Sequence, residues 1–234
     1  MELWGDGITW SNLTFGNFRE IFSSGSTGNA ALWNSLSLSF IAATVAMFLG
    51  TFLAVTIVRS KGFFKGFIDA SSLLSNTVPR IVIIVGLILF WNAPWMKVTI
   101  YNTTMMLALT YAIAFLPYTV QYVKSSYQQI DDSLFHAAKV SGASSSYTTR
   151  RILFPLIRPG MVAGWMMTFI ISIRELVASL MIRPAGTETS ATYIYRQFDQ
   201  GLVPLGMAMA VITVGLTTIV LILIQVYQNK DVVK

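Results

Sequence analysis

The feature that most constrains this chain is a run of 27 residues, Leu32 to Val58, that contains no charged side chain. A helix rises 1.5 Å per residue, so about 20 apolar residues cross the hydrocarbon core of a bilayer. Three later segments have the same character, and one of them carries Arg174 and Glu175 well inside it. They are residues 104–123, 160–182 and 205–226. Most of this chain is therefore expected to lie in lipid.

Residues 68–91 form a less regular apolar segment. Pro79 and Arg80 interrupt it, and the purely apolar part from Ile81 to Trp91 is too short to cross alone. Proline lacks a backbone donor and disfavours helix in the residue before it, which predicts a kinked or broken span. Trp91 and Trp95 would mark its interfacial end. The fold class expected is all-α, a polytopic membrane protein with about five transmembrane helices.

Composition removes several classes of function. Charged residues make up 11% of the chain, against about 25% in soluble domains, and the basic ones sit in short connections without forming a basic face. The net charge of +6 therefore does not indicate nucleic acid. The chain has no cysteine and one histidine, which argues against a metal site. No GxxxxGK, GxSxG or HExxH motif occurs, so neither an enzyme nor a cofactor is expected.

Lysines and arginines predict the orientation. If the connection after Val58 is cytoplasmic, ten basic residues lie inside and four outside. The ten are Arg59, Lys61, Lys65, Lys124, Lys139, Arg150, Arg151, Arg158, Lys230 and Lys234, and the four are Arg19, Lys97, Arg183 and Arg196. Residues 1–31 then form an extracytoplasmic lead-in, residues 32–226 the membrane domain, and residues 227–234 a cytoplasmic tail.

The longest basic connection, residues 124–158, shows the signals of two short helices. Asp131 and Asp132 favour a helix start and Gly142 a helix stop, which predicts a helix over 132–141. Ser144 to Ser146 would cap a second helix through Leu153, ended by Pro155 and Pro159. Such a pair could fit a groove on a soluble partner or lie on the bilayer surface, and the pattern leaves both open.

The segment from Leu134 to Gly164 resembles the cytoplasmic signature loop of ABC importer permeases. That pattern is Glu-Ala-Ala, three residues, Gly, a spacer, Ile, a hydrophobic pair and Pro. The matching residues here are His136, Ala137, Ala138, Gly142, Ile152 and Phe154-Pro155, with Pro159 beyond them. His136 stands where the family usually has glutamate, which removes any salt bridge that this carboxylate would make.

The resemblance implies a type I importer permease of MetI-like architecture in a bacterial inner membrane. Residues 131–155 would dock on a dimer of ATP-binding subunits, so ATP hydrolysis would take place on a partner chain. A second permease half, identical or different, would complete the path. An extracytoplasmic binding protein would deliver the solute. An ATP-independent secondary transporter or channel, or a scaffold without a path, remains an alternative.

A second, shorter resemblance indicates which group of ABC importer permeases this chain is most similar to. Arg174-Glu175-Leu176 and the segment Arg183 to Thr189 are similar to the carboxyl-terminal region of ferric-iron, thiamine and aminoethylphosphonate type permeases. This implies ferric iron first, then thiamine, phosphonates or polyamines as the solute. Many of these permeases are fused double-length chains, which leaves open whether this chain is the carboxyl-terminal half of one.

Three charged residues are candidates for the translocation path: Arg80, Arg174 and Glu175. A lone charge within a span costs at least ~2.5 to 3.5 kcal/mol and so needs a partner or water. Arg174 and Glu175 could line the path or bind neighbouring helices. Arg80 could face an aqueous vestibule at the break or extend toward lipid phosphates.

Overall fold

A computed structural model describes residues 14–60, 62–63, 66–67, 70, 77–97 and 99–232, with side chains to residue 226. Every regular element in that part of the chain is helical, so the all-α prediction is confirmed. The elements before the long connection are α1 (Gly16–Phe22), α2 (Thr27–Arg59), α3 (Arg80–Trp91) and α4 (Thr104–Gln128). Those after it are α5 (Asp132–Val140), α6 (Ser145–Thr148), a π-helix (Thr149–Leu153), α7 (Phe154–Ser172), α8 (Val177–Ile182), α9 (Ser190–Asp199) and α10 (Val203–Val232).

Helices α2, α4 and α7 form the centre of the bundle, and glycines set how closely they pack. A Cβ placed on Gly164 of α7 would lie 2.7 Å from the Thr119 Cα of α4, and one on Gly50 of α2 would lie 2.8 Å from the Thr119 Cβ. Only glycine permits such an approach, as is usual where helices pack in lipid. The Thr119 hydroxyl also lies 3.3 Å from that of Thr168. Thr119 is therefore the crossing point of the three helices.

Four helical stretches in the described part are long and apolar enough to cross a membrane: Thr27–Arg59, Thr104–Gln128, Ser145–Ser172 and Val203–Val226. Helix α3 is a shorter apolar helix of 12 residues, with Pro79 as its N-cap. Most of the amino-terminal half of the predicted span 68–91 lies outside the described residues. The structure shows that a helix starts after Pro79. That the chain before Pro79 forms the other part of a broken span stays a prediction.

The segment predicted as one span over 160–182 contains two helices. Helix α7 ends at Ser172 and α8 begins at Val177, so Arg174 and Glu175 lie in the turn between them. The Glu175 carboxylate accepts a hydrogen bond from the Ala178 amide at 3.2 Å, which serves one of the free donors at the start of α8. The charged pair thus coincides with the interruption of the span.

The predicted end of the second loop helix at Pro155 and Pro159 is wrong. Helix α6 continues through the π-helix into α7 without leaving helical geometry. Pro155 occupies the first turn of α7, where no helical N–H is needed, while Pro159 lies inside the helix. Interior prolines are tolerated in membrane helices because neighbouring groups satisfy the backbone that they leave free. Residues 145–172 therefore form one continuous rod.

The carboxyl-terminal part of the chain is attached to the start of α2 through buried polar contacts. The Ser190 amide donates to Ser35 Oγ at 2.7 Å, and the Asn34 amide group donates to the Glu188 carbonyl at 2.8 Å. Helix α9 packs on α10, and both contact the apolar cluster around Ile21 of α1. These contacts gather α1, α9 and the beginning of α10 at the end of the bundle opposite the long connection.

Candidate functional site

The long connection contains a well-formed short helix, α5, whose two ends match the sequence prediction. Asp131 caps its start by accepting a hydrogen bond from the Ser133 amide at 2.7 Å. The Ser133 hydroxyl, and then its amide, hold the pKa of the Asp131 carboxyl below its ordinary value of 3.8. At the other end Gly142 has φ +76°, and the Ala143 amide donates to the Ala138 carbonyl at 3.0 Å. This is a Schellman motif, so the predicted stop at Gly142 is confirmed.

Helix α5 is anchored through Phe135 and Ala138 and leaves two large apolar side chains exposed. Phe135 stacks on Tyr127 of α4 with ring centroids 6.0 Å apart, and Ala138 is buried. Val140 is 90% exposed and Leu134 is 45% exposed. Exposed apolar side chains on a helix that is fixed by its other contacts are available to a partner.

The remaining residues of the predicted docking loop surround α5 or follow it. His136 and Ala137 are exposed on α5, beside the buried Ala138. Ile152 is half-buried within the π-helix, and Pro155 is exposed at the start of α7. The structure therefore places three of the motif positions on α5, Gly142 at its end, and two on the continuous rod of residues 145–172.

Arg59, Tyr127 and Phe135 tie this loop to the spans, and sequence reasoning gave none of them that role. Arg59, at the end of α2, donates from Nε to Tyr127 Oη at 3.4 Å and from Nη2 to Thr149 Oγ1 at 3.2 Å. The Tyr127 ring in turn stacks on the ring of Phe135 in α5. Arg59 had one available signal, because it is the first charge after the uncharged run that ends at Val58. The aromatic pair had none.

A second polar cluster lies at the break between α7 and α8. Arg80 Nη1 lies 2.7 Å from Glu175 Oε2, and the carboxylate side chain is 3% exposed while that of the arginine is 45% exposed. The other carboxylate oxygen accepts from the Ala178 amide. Both oxygens of this buried carboxylate are thus engaged, as a charge in this environment requires.

The groups around this ion pair come from α4 and α8. The Arg80 guanidinium stands 5.2 Å from the centre of the Phe115 ring, a cation–π contact. Ser179 Oγ donates to the Glu175 carbonyl at 2.5 Å and also pairs with the Tyr111 hydroxyl. Tyr111 and Phe115 are four residues apart on α4 and share one face. Their spacing was visible in the sequence, but nothing there connected it to Arg80.

Arg80 also borders an open concavity of about 380 Å³ with Thr77, Pro79, Phe115 and Tyr118 among its walls. Phe115 lies near the middle of α4, which places the concavity at mid-depth of the spans. Arg174 is exposed, and its side chain makes no ion pair or hydrogen bond with another residue that the structure describes. Two of the three candidate path residues are therefore brought together, and Arg174 stands apart from them.

The segment Arg183 to Thr189 forms a turn. Gly186 has φ +78°, and Arg183 Nη1 donates to the Thr187 carbonyl at 2.8 Å. Glu188 lies 3.0 Å from Arg196, and Thr189 caps α9 in a reciprocal pair with Thr192. The second motif noticed in the sequence thus holds α9 against α2. Among the described residues no three His, Cys, Asp or Glu side chains are placed to hold a metal ion.

This arrangement of broken spans and a protruding loop helix agrees with comparisons to known proteins. The family model of the binding-protein-dependent transport system inner membrane component matches residues 46–234. The chain belongs to that family, and it is an ABC transporter permease subunit of the inner membrane.

Relatives with assigned substrates resemble most of the chain. The spermidine/putrescine permease protein PotC of Haemophilus influenzae is 27% identical over 96% of this chain and 86% of its own length. The trehalose permease protein SugB of Mycobacterium tuberculosis is 27% identical over 91% and 78%. The putative 2-aminoethylphosphonate permease protein PhnV of Salmonella paratyphi A is 24% identical over 82% and 71%. None of these names mentions ferric iron, the solute expected first from the sequence.

Solved structures share the fold. A bacterial alginate ABC transporter, crystallised with a periplasmic protein that carries an alginate pentasaccharide, matches with TM-score 0.71 and 17% identity over 91% of this chain and 82% of that one. The methionine transporter MetNI matches with TM-score 0.69 and 18% identity over 88% and 94%. The MetI-like architecture expected from the sequence is confirmed.

Proposed function

We propose that this chain forms half of the solute pathway of an ATP-binding-cassette importer and couples to a separate ATPase through residues 131–155. The observation that supports this coupling best is α5, which is anchored on α4 through Phe135 and Tyr127 and exposes Val140 and Leu134. A partner that covers these side chains would gain their burial, worth about 1.5–3 kcal/mol for each large apolar side chain. A movement of that partner would reach α4 and α2 through Tyr127 and Arg59.

The proposed function implies an orientation of the chain in the membrane and a set of partner proteins. The loop end faces the cytoplasm, so the N-terminus lies outside and the C-terminal tail inside, as the distribution of lysine and arginine favours. A pair of ATP-binding subunits binds the loop, and these subunits hydrolyse ATP. A second permease half, identical or different, completes the path, and an extracytoplasmic binding protein delivers the solute. The alginate transporter with its bound periplasmic protein supports the last of these.

The solute proposed is a small organic molecule. The relatives transport polyamines, trehalose or 2-aminoethylphosphonate, and this range supports no single one of them. We place Arg80, Arg174 and Glu175 at the path, because charged groups at mid-depth of a span are stable only beside water, a partner charge or another polar group.

The coupling is tested with Val140→Glu in the complete complex. Val140 is 90% exposed, so the substitution removes almost no internal packing and places a charge where an apolar contact is expected. The ATP-binding subunit should be lost during co-purification, and ATP-dependent uptake should fall at least tenfold while the chain still inserts in the membrane. Gly142→Pro should have the same effect by breaking the closing motif of α5.

Trp95→Glu provides the matched control. Trp95 is 73% exposed and follows the end of α3 that is farther from the loop. Introducing a glutamate there should therefore leave the ATP-binding subunit bound. If Val140→Glu retains both partner and uptake, the coupling assignment is wrong. Uphill uptake by the purified chain in vesicles without an ATP-binding subunit would favour a secondary transporter instead.

A further inference from the structure

The charges at mid-depth of the spans are unequally exposed. Two arginines, Arg80 and Arg174, present side chains at the surface of the chain, whereas the carboxylate of Glu175 is 3% exposed. Glu175 is also fully occupied, by Arg80 on one oxygen and by the Ala178 amide on the other. A solute beside this surface would meet guanidinium groups and no free carboxylate.

No other acid lies in the described helical stretches that cross or enter the membrane domain. In the helical stretches Thr27–Arg59, Arg80–Trp91, Thr104–Gln128, Ser145–Ser172 and Val203–Val226 there is no aspartate or glutamate, and Glu175 is the one acid in residues 173–182. The pair Arg80–Glu175 is neutral in sum, so Arg174 leaves a net charge of one positive unit at this level. A low-dielectric surrounding strengthens the field of such a charge.

We infer that the middle of the path is electropositive and admits solutes that carry an anionic group, such as a carboxylate, phosphate or phosphonate. This inference rests on the proposed function, because it takes the surface that bears Arg80 and Arg174 to line the path. Guanidinium groups present several N–H donors in a plane and bind such oxyanions through paired hydrogen bonds. The half-exposed Arg80 at the wall of the concavity is the group that would do so, and Arg174 adds a positive charge next to Glu175 in the chain.

The inference separates this chain from the relatives named for polyamines. Spermidine and putrescine carry several positive charges, and an exposed arginine at mid-depth repels them. Of the substrates that the relatives' names print, 2-aminoethylphosphonate has the anionic group that this surface would accept. The overall likeness in sequence to PotC therefore does not extend to the sign of the charge expected for the solute.

The sign of the potential can be measured with a single introduced thiol, because this chain contains no cysteine. Tyr118→Cys places the thiol at the wall of the concavity that Arg80 borders. The complete complex, built with cysteine-free partner subunits, is treated with two thiol-specific methanethiosulfonates. One is the anionic 2-sulfonatoethyl methanethiosulfonate, and the other is the cationic 2-(trimethylammonium)ethyl methanethiosulfonate. Each rate is divided by the rate of the same reagent with free 2-mercaptoethanol.

The anionic reagent should be favoured at Tyr118→Cys on the order of tenfold, because a unit positive charge acting through water at a separation of about 6 Å would change the two rates about threefold in opposite directions. Thr104→Cys, at the exposed end of the same helix, should show a ratio near one. Arg174→Gln should lower the preference, because it removes the charge that the neutral pair Arg80–Glu175 leaves unbalanced. Arg80→Gln should also lower it by leaving Glu175 unpaired, whereas Glu175→Gln should raise it.

The outcomes separate the two proposals. If neither reagent reaches Tyr118→Cys while Thr104→Cys reacts, water does not enter here and the assignment of the path in the proposed function fails. If both react with equal ratios, or the cationic reagent is favoured, the path stands and the electropositive inference is overturned. A preference for the anionic reagent that survives Arg174→Gln and Arg80→Gln also overturns it, because the field would then arise elsewhere.

Discussion

Helices α3 and α4 are neighbours in the bundle, but they differ sharply in how they are packed. Of the 25 residues of α4, 13 are buried, including Tyr111, Phe115 and Thr119. Of the 12 residues of α3, only Ile84 is buried, although α3 is the more apolar of the two. Apolar content therefore does not indicate which helix forms the core. The difference lies in small residues on the helices that face α4, and α3 keeps its apolar surface for lipid or for another subunit.

The largest expected effect tests the tight packing of α4. Gly164→Ala would place a Cβ 2.7 Å from the Thr119 Cα, so α4 and α7 must separate, at a cost on the order of 1–3 kcal/mol. The free energy of unfolding of the purified chain should fall by that amount. Gly86→Ala on α3 is the matched control, because nothing lies within 4 Å of its Cβ, and it should change stability by less than about 1 kcal/mol. Equal losses for both variants would contradict the contrast between the helices.

A smaller effect concerns the attachment of α3 through its one charged residue. A double-mutant cycle with Arg80→Gln and Glu175→Gln should give a coupling of about 1–2 kcal/mol. This range lies between surface and buried pairs because Arg80 is 45% exposed and Glu175 is 3% exposed. Unfolding of the single and double variants measures it. Strict additivity of the two single changes would show that the ion pair does not hold α3 in place.

The smallest effect concerns α5, which depends on α4 for its anchor. Phe135→Leu keeps an apolar side chain but loses the stacking on Tyr127, which is worth about 0.5–1.5 kcal/mol. Amide hydrogen exchange over residues 132–140 should become about three- to tenfold faster in the purified chain. Val140→Ala, at a 90% exposed position of the same helix, should not make the exchange faster, because it removes no packing and alanine favours helix over valine. Unchanged exchange in Phe135→Leu would mean that α5 is held by other contacts.

Local features of the chain could be predicted from the sequence, because they depend on neighbouring residues. The uncharged run from Leu32 to Val58 lies within α2, and Asp131 and Gly142 bound α5 as their side-chain chemistry favours. The ion pair between Arg80 and Glu175 could not be predicted, since 95 residues separate them and their meeting depends on how α3 packs. The helix end at Pro155 was mispredicted, because proline is found in the first turn of a helix as well as just after its last turn.

The continuous helical rod of residues 145–172 extends farther on one side of its contacts with α4 than on the other, so it could transmit a tilt as a lever does. It packs tightly against α4 at two glycines one turn apart: a Cβ on Gly160 or on Gly164 would lie 2.7 Å from the Tyr122 carbonyl oxygen or the Thr119 Cα, respectively. From the midpoint of these contacts, about 26 Å of rod extends toward the loop and about 15 Å toward Glu175. A tilt about these contacts would move Ser172 in the direction opposite to the Ser145 end, by roughly three fifths of the distance. A movement at the loop end of the rod would thus become a smaller, reversed movement next to the buried carboxylate.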